Sequence, residues 1–245
     1  MELGFEDEAI RFGVKWALTG SHRVDHRLRL DLRELFLADS SGEEILQKPR
    51  VARDKIYLGV IGEIGTGKGV FADYMQREYD ALHERYSTRV RAFVKRWGIT
   101  ESRDNLQKIA MDLRRHFGDD ILTKPILESA LESRASCAVI EGIRLSGDIR
   151  DLRRLPGFKL VYVTAPIDVC YARIAARGEN QGGATKTFEA FTRERGSPTE
   201  TEISVLGETA DFRVDNVGTL EAYHAQNWAI LQVVEPSFVD PSARA

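Results

Sequence analysis

The chain has 245 residues, of which 42% are hydrophobic and 30% are charged. This is typical of a soluble globular protein and leaves room for one sizeable α/β domain, or for a domain with an extension. The formal net charge of -3 lacks the basic excess that general binding to nucleic acid requires. Cys137 and Cys170 are far apart in apolar surroundings, so they indicate neither a disulfide framework nor a zinc site.

The start of the chain and its apolar runs predict no association with a membrane. The acidic segment "MELGFEDEAIRFG" lacks the basic-then-apolar pattern of a signal peptide. No apolar run approaches the length that crosses a bilayer. We therefore expect a cytoplasmic protein.

Residues 1–55 have a different pattern from the rest and predict an accessory extension without catalytic groups. Phe5 to Leu18 has the apolar spacing of an amphipathic helix. Residues 28–36 fit a strand and a helix equally well, and "ADSSGEE" and "QKPRVARDK" read as a loop and a linker. The expected role of this extension is packing, or an interface that forms a homo-oligomer.

From Ile56 onward, continuous apolar segments alternate with helical patterns. Four segments predict buried strands, namely "KIYLGVI", "ASCAVIEGIR", "FKLVYVTA" and "ADFRVDN". Buried strands that alternate with helices predict a parallel sheet covered on both faces. The predicted fold is a three-layer α/β/α domain over residues 56–233, followed by a C-terminal tail over residues 234–245.

The segment "GEIGTGKG", between the first strand and an amphipathic helix, has the spacing of a phosphate-binding loop (P-loop). Glycines let backbone N–H groups approach an anion, and the helix N-terminus adds a favourable dipole. Lys68 then reaches the β- and γ-phosphates of a nucleoside triphosphate. The residues predicted to contact the nucleotide are Gly62, Glu63, Ile64, Gly65, Thr66, Gly67, Lys68, Gly69 and Val70.

Gly69 and Val70 follow Lys68 at the place where most phosphate loops carry a hydroxyl for magnesium. Mg²⁺ must then be held by phosphates, water and nearby acidic groups. The buried strand "CAVIE" ends in Glu141, which is the predicted metal ligand. The next residues are Gly142, which leaves room for a ligand, and Arg144, which projects just beyond the strand.

Two further segments are rich in arginine. The helix "RDNLQKIAMDLRRHFGDD" carries Arg103, Gln107 and Arg114 on adjoining turns, and a solvated face explains them as well as a binding site does. The loose segment "RGENQGGATKT" predicts a lid over about residues 177–198. Arginines around such a lid close over a phosphoryl group and neutralise its charge. They are Arg173, Arg177, Arg193 and Arg195.

With these motifs in this order, residues 56–223 resemble the nucleoside monophosphate kinase group of P-loop kinases. The likeness is greatest to phage-type deoxynucleoside monophosphate kinases and to archaeal dephospho-CoA-kinase-like or adenylate-kinase-like proteins. It rests on "GEIGTGKG", "RDNLQKIAMDLRRHFGDD", "VIEGIR", "FEAFTRERGSP" and "ADFRVDNVGTLEAY". The resemblance implies ATP and Mg²⁺ as cofactors. It also implies that Arg103 and Arg114 meet the acceptor's phosphate, that Arg144 lies beside the acceptor, and that Asn216 and Gly218 lie beside the adenine.

The resulting expectation is a kinase that moves the γ-phosphoryl group of ATP to a nucleoside or deoxynucleoside monophosphate. Dephospho-CoA and a hydroxymethylated base in DNA are alternative acceptors, and the net charge mildly disfavours DNA. A nucleotide sensor with little turnover is a further alternative, although a sensor has little need for lid arginines. The predicted catalytic residues are Lys68, Arg144, Arg173, Arg177 and Arg193. The predicted substrate-binding residues are Arg103, Gln107, Arg114, Glu141, Gly142 and Arg144.

Overall fold

The computed structural model describes residues 55–177 and 187–239. The predicted extension up to residue 54, residues 178–186 of the predicted lid and residues 240–245 of the tail lie outside these ranges. The strands are β1 (Ile56–Ile61), β2 (Leu82–Arg85), β3 (Cys137–Glu141), β4 (Phe158–Thr164) and β5 (Phe212–Asp215). The helices are α1 (Lys68–Tyr79), α2 (Tyr86–Arg96), α3 (Arg103–Phe117), α4 (Lys124–Glu132), α5 (Ser146–Leu152), α6 (Ile167–Arg177), α7 (Phe188–Arg195), α8 (Pro198–Gly207) and α9 (Leu220–Val234).

The strands form one parallel sheet in the order β2-β3-β1-β4-β5. Strand β1 pairs in parallel with β3 and β4, and β4 pairs in parallel with β5. The carboxyl ends of parallel strands meet at one edge, where α/β proteins bind their ligands. The observed α/β architecture with a parallel sheet confirms the predicted fold class.

The chain divides into two compact units, and the larger one contains the sheet. Its described residues are 55–84 and 130–239 without 178–186, and those of the smaller unit are 85–129. In the larger unit, α1 and α9 pack on one face of the sheet around Leu58, Val139 and Val163. Tyr57 and Leu160 point to the opposite face of the sheet and are fully buried too. Burial of both faces explains why these strands are continuously apolar in sequence.

The smaller unit contains α2 and α3. Buried apolar residues at helical spacing line both helices, including Val90 and Phe93 on α2 and Ile109 and Leu113 on α3. The Ser102 side chain caps α3 by accepting a hydrogen bond from a backbone N–H group in the first turn. Among the described residues of the whole chain, no helix is both long and apolar enough to span a membrane.

The sequence patterns missed several elements and misplaced some ends. Strand β2 was not predicted, because "LHER" is a short edge strand with a single apolar residue. Helices α2, α4, α5, α7, α8 and α9 were not predicted as separate elements. Helix α1, predicted after the glycine loop, ends at Tyr79, where Asp80 adopts a left-handed backbone conformation with a φ of 51°. Helical spacing predicts Leu106 and Phe117 on the same side of α3 as Ile109 and Leu113, yet Leu106 and Phe117 are only partly buried.

Candidate functional site

The loop between β1 and α1 is the centre of the candidate site. Helix α1 begins at Lys68, and Gly67 is its N-cap in a left-handed conformation with a φ of 103°. A side chain on Gly67 would strain this conformation and place a Cβ atom 2.2 Å from the Asn216 Nδ2 atom. The glycine thus allows a tight loop that ends at the N-terminus of an α-helix. Such a helix terminus is suited to binding an anion.

Buried side chains hold the loop in this shape. The Asn216 Nδ2 atom donates to the Thr66 carbonyl at 2.9 Å, and the Tyr223 hydroxyl donates to the Gly67 carbonyl at 3.1 Å. The Thr66 hydroxyl is buried and donates to the Glu63 carbonyl at 2.9 Å. Thr66 therefore stabilises the loop from inside and does not replace the hydroxyl that is missing after the lysine.

Lys68 lies in the first turn of α1, with its Nζ atom donating to the Glu63 carbonyl at 2.9 Å. Burial and the Arg144 guanidinium lower the pKa of Lys68 to about 8, while the carboxylates of Glu141, Glu200 and Glu63 oppose this shift. A small fraction of Lys68 is therefore already deprotonated near neutral pH. A phosphate group beside the ammonium would favour its charged form.

Strand β3 ends in Glu141, the predicted metal ligand. Its Oε2 atom lies 3.1 Å from the His83 Nε2 atom on β2, and both side chains are largely buried. Glu141 pairs in register with Val60, one residue before the end of β1, which puts it near the start of the loop. Within the described residues, no three acidic, histidine or cysteine side chains form a metal-binding cluster. Glu141 therefore fits Mg²⁺ only if phosphates and water supply most of the ligands.

Arg144 follows β3 and binds a carboxylate from α8. The Arg144 guanidinium donates to Glu200 Oε1, and the Ile64 N–H group of the loop donates to Glu200 Oε2 at 3.2 Å. Although burial opposes it, the Arg144 charge, together with these hydrogen bonds, lowers the pKa of Glu200. Glu200 thus joins a predicted catalytic arginine to the phosphate loop.

Glu200 was not predicted as a site residue, and a local pattern explains why it is inconspicuous in the sequence. Ser197 is the N-cap of α8 and Pro198 is its first residue, so that Glu200 completes a Ser-x-x-Glu pattern. That pattern is typical of a capping box, in which the glutamate binds back to its own helix terminus. Here the Ser197 side chain makes no capping hydrogen bond, and the Glu200 carboxylate binds the loop.

Arg173 on α6 lies one contact away from the loop. Its Nη2 atom donates to the carbonyl oxygen and to Oδ1 of Asn216, at 3.0 and 3.1 Å. Asn216 in turn holds the Thr66 carbonyl, so it has a structural role besides its predicted contact with the nucleotide. Gly218, the other residue predicted near the adenine, is exposed two positions later.

The remaining arginines of the predicted lid lie on α6 and α7. Arg193 is exposed on α7, and Arg177 is the last residue of α6. Arg195 is largely buried, with its Nη2 atom 3.7 Å from Glu63 Oε2, and the Tyr162 hydroxyl donates to Glu63 Oε1 at 2.7 Å. Burial and the hydrogen bond with Glu63 raise the pKa of Tyr162 to about 12. The Glu63 carboxylate therefore connects the loop with α7 and β4.

Arg103, Gln107 and Arg114 belong to the smaller unit, on α3. Separations of four and eleven residues put the three side chains on one face of an α-helix. Arg103 and Gln107 are exposed and Arg114 is partly buried, whereas the opposite side of the helix buries Ile109 and Leu113. The structure thus brings Lys68, Glu141, Arg144 and Arg173 together around the loop within the larger unit.

Comparison with known proteins shows distant relatives. No family model matches the chain. A UPF0200 protein of Methanoregula boonei is 25% identical over 181 residues, which cover 73% of this chain and 97% of the relative. An uncharacterized protein from Eubacterium ventriosum aligns with a TM-score of 0.50 at 14% identity, over 74% of this chain and 99% of its own. Shikimate kinase from Acinetobacter baumannii, in complex with shikimate, has a TM-score of 0.46 at 13% identity, over 82% of this chain and 100% of its own. At 14% identity, the alignment with the Eubacterium ventriosum protein shows a likeness of fold alone.

Proposed function

We propose that the chain is an ATP-dependent phosphotransferase that moves the γ-phosphoryl group of ATP to a nucleoside or deoxynucleoside monophosphate. The observation that carries this proposal is the glycine loop at the N-terminus of α1, with Lys68, Glu141 and Arg144 gathered beside it. Phosphoryl transfer depends on positioning and on neutralisation of charge more than on a strong base. A lysine, arginines and a carboxylate are the groups that this chemistry uses.

Each group has a separate role in the proposal. The loop N–H groups and Lys68 bind the phosphates of ATP, and Arg144 and Arg173 neutralise charge on the transferring group. Arg177 and Arg193 are proposed to add positive charge from the lid. Glu141 would hold Mg²⁺, which supplies further charge neutralisation when it is bound. His83 would orient that carboxylate from β2.

A phosphorylated acceptor is favoured by the arginine face of α3. Guanidinium groups bind phosphate oxygens in a planar, bidentate arrangement, so Arg103 and Arg114 suit the phosphate of a monophosphate. Gln107 would donate a further hydrogen bond between them. Dephospho-CoA and a hydroxymethylated base in DNA are the alternative acceptors, and a nucleotide sensor is the alternative without transfer.

A screen of acceptors with the purified full chain tests this function. ADP formation from ATP and Mg²⁺ would be measured with each nucleoside and deoxynucleoside monophosphate, with dephospho-CoA and with hydroxymethylated DNA. We expect ADP only when one class of monophosphate is present, and none with Lys68→Ala. The matched control Lys108→Ala, at an exposed lysine of α3, should retain activity.

The outcomes of the screen separate the alternatives. If only dephospho-CoA or only modified DNA supports ADP formation, that compound is the acceptor and a monophosphate is not. Binding of ATP without consumption in the presence of any acceptor would favour the sensor. That alternative rests on the missing hydroxyl at Gly69, which weakens the usual way of holding magnesium.

A further inference from the structure

The Glu200 carboxylate lies among the groups proposed to bind the terminal phosphoryl group of ATP. It accepts hydrogen bonds from the Ile64 N–H group, at 3.2 Å, and from the Arg144 guanidinium. It also interacts electrostatically with the Lys68 ammonium. A loop amide, a guanidinium and an ammonium group together form the kind of surroundings that bind phosphoryl oxygens.

Glu200 is charged although it is buried. Its side chain is only 1% exposed, and desolvation alone would favour the neutral acid. The Arg144 charge and the hydrogen bonds outweigh this effect, so that the pKa of Glu200 lies below its ordinary value. The carboxylate therefore depends on the same positive groups that a triphosphate would use.

The contact with the loop is a tertiary one that α8 itself does not require. A glutamate at this position has a local alternative, because it follows the N-cap Ser197 by three residues and a capping box is available. Glu202, two residues later on the same helix, accepts a hydrogen bond from the Ser146 N–H group at 2.8 Å and does not contact the loop in this way. Glu200 and Glu202 thus form a natural matched pair.

We propose that Glu200 is an internal competitor of the nucleotide, and that its carboxylate occupies the subsite of the terminal phosphoryl group until ATP displaces it. This inference rests on the proposed function to the extent that the loop binds a triphosphate. The exchange replaces one anion by another, so Arg144 and Lys68 face an anion in both states. Lys68 is the more buried of these two cations, and a buried cation left without an anionic partner is unfavourable. The exchange avoids that state.

Competition predicts a difference between ATP and ADP. ADP lacks the terminal phosphoryl group, so Glu200 can stay on Ile64 and Arg144 while ADP is bound. ATP must displace the carboxylate, and part of its binding free energy is spent on that step. Removal of the negative charge at residue 200 should therefore improve the binding of ATP more than that of ADP.

The test is to measure the affinities of ATP and ADP by isothermal titration calorimetry, with Mg²⁺ and without an acceptor. The full chain would be compared with Glu200→Gln, which keeps the size of the side chain and removes its charge. We expect Glu200→Gln to bind ATP roughly tenfold more tightly, the effect of one charge-assisted contact. Its affinity for ADP should change by less than about twofold. Glu202→Gln should bind both nucleotides as the wild type does.

The outcomes distinguish this inference from the proposed function. ATP binding by the wild type without tightening in Glu200→Gln overturns the inference alone, and assigns Glu200 to orienting Arg144. Equal tightening for ATP and ADP overturns the assignment of the subsite. Absence of ATP binding in both proteins overturns the inference and the proposed function together.

A second variant covers the case in which Glu200→Gln does not fold, as thermal unfolding would show. Glu200→Asp keeps the charge but shortens the side chain by one methylene group, which moves the carboxylate away from the Ile64 N–H group. We expect this variant also to bind ATP more tightly than the wild type, with ADP nearly unchanged. An unchanged affinity for ATP in a folded Glu200→Asp protein would overturn the proposal.

Discussion

The pH dependence of nucleotide binding tests whether Lys68 is a phosphate ligand. Burial and the Arg144 guanidinium hold the pKa of Lys68 at about 8, against an ordinary value of 10.5. Only the protonated ammonium attracts a polyphosphate, and the bound anion raises the pKa in turn. ATP affinity should therefore be greatest below pH 8 and should fall as the pH rises through 8.

The expected magnitude follows from the fraction of protonated lysine. A group with a pKa near 8 is about nine-tenths protonated at pH 7 and about one-tenth protonated at pH 9. The apparent Kd for ATP should thus rise about tenfold between pH 7 and pH 9. The charged groups around Lys68 are Arg144, Glu63, Glu141 and Glu200.

Calorimetry across this range, with circular dichroism to monitor the fold, measures the effect. Lys68→Arg is the matched variant, because arginine stays protonated throughout and should bind ATP with nearly constant affinity. A wild-type Kd that changes by less than about twofold would show that Lys68 is not a titrating phosphate ligand. An equal rise in Lys68→Arg would show that another group titrates. Tyr162, whose pKa is raised to about 12, lies outside the range.

Three further predictions concern the metal, the contact between α7 and the loop, and the loop glycines. Glu141→Gln should lower turnover and raise the Mg²⁺ concentration needed for half-maximal activity, because it removes the carboxylate at the end of β3; an unchanged Mg²⁺ titration would contradict this. Arg195→Ala should lower the free energy of unfolding in urea by about 2 kcal/mol, because it leaves a buried carboxylate without its guanidinium. Arg193→Ala, which removes an exposed side chain, should change the free energy of unfolding by less than about 0.5 kcal/mol. Equal effects of the two substitutions on this free energy would argue against the Arg195 contact. Gly67→Ala should weaken ATP binding at least about tenfold, because its Cβ would clash with a side-chain amide. Gly98→Ala, whose Cβ would meet nothing within 4 Å, should show only the backbone strain of about 1 kcal/mol and unchanged ATP binding.

The main features of the fold could be predicted because a strand that is buried on both faces is apolar at consecutive positions of the sequence. Strands β1, β3 and β4 are buried on both faces, and each is a run of mostly apolar residues. Strand β2 lacks this pattern, since it has four residues at the edge of the sheet and only Leu82 is apolar. His83, the partner of Glu141, was missed together with this strand.

The parts of the site that are contiguous in the chain could also be predicted from the sequence. The loop follows β1 directly and leads into α1, so glycine spacing, Lys68 and the helix N-terminus form one local pattern. Glu141 and Arg144 are placed by the end of a single strand in the same way. Parallel pairing of β3 with β1 then brings that strand end to the loop.

The sheet, the phosphate loop and the strand-end carboxylate could thus be predicted from the sequence, because each depends on neighbouring residues and on a regular period. The side chains that contact and support the loop depend instead on the tertiary structure. Glu200 binds the loop across 136 residues, and its local pattern points to a helix cap. Arg195 and Arg193 are two positions apart on α7, yet one faces Glu63 and the other faces solvent. Such differences arise from how α7 and α8 pack against the loop. This packing cannot be predicted from the spacing of residues within either helix.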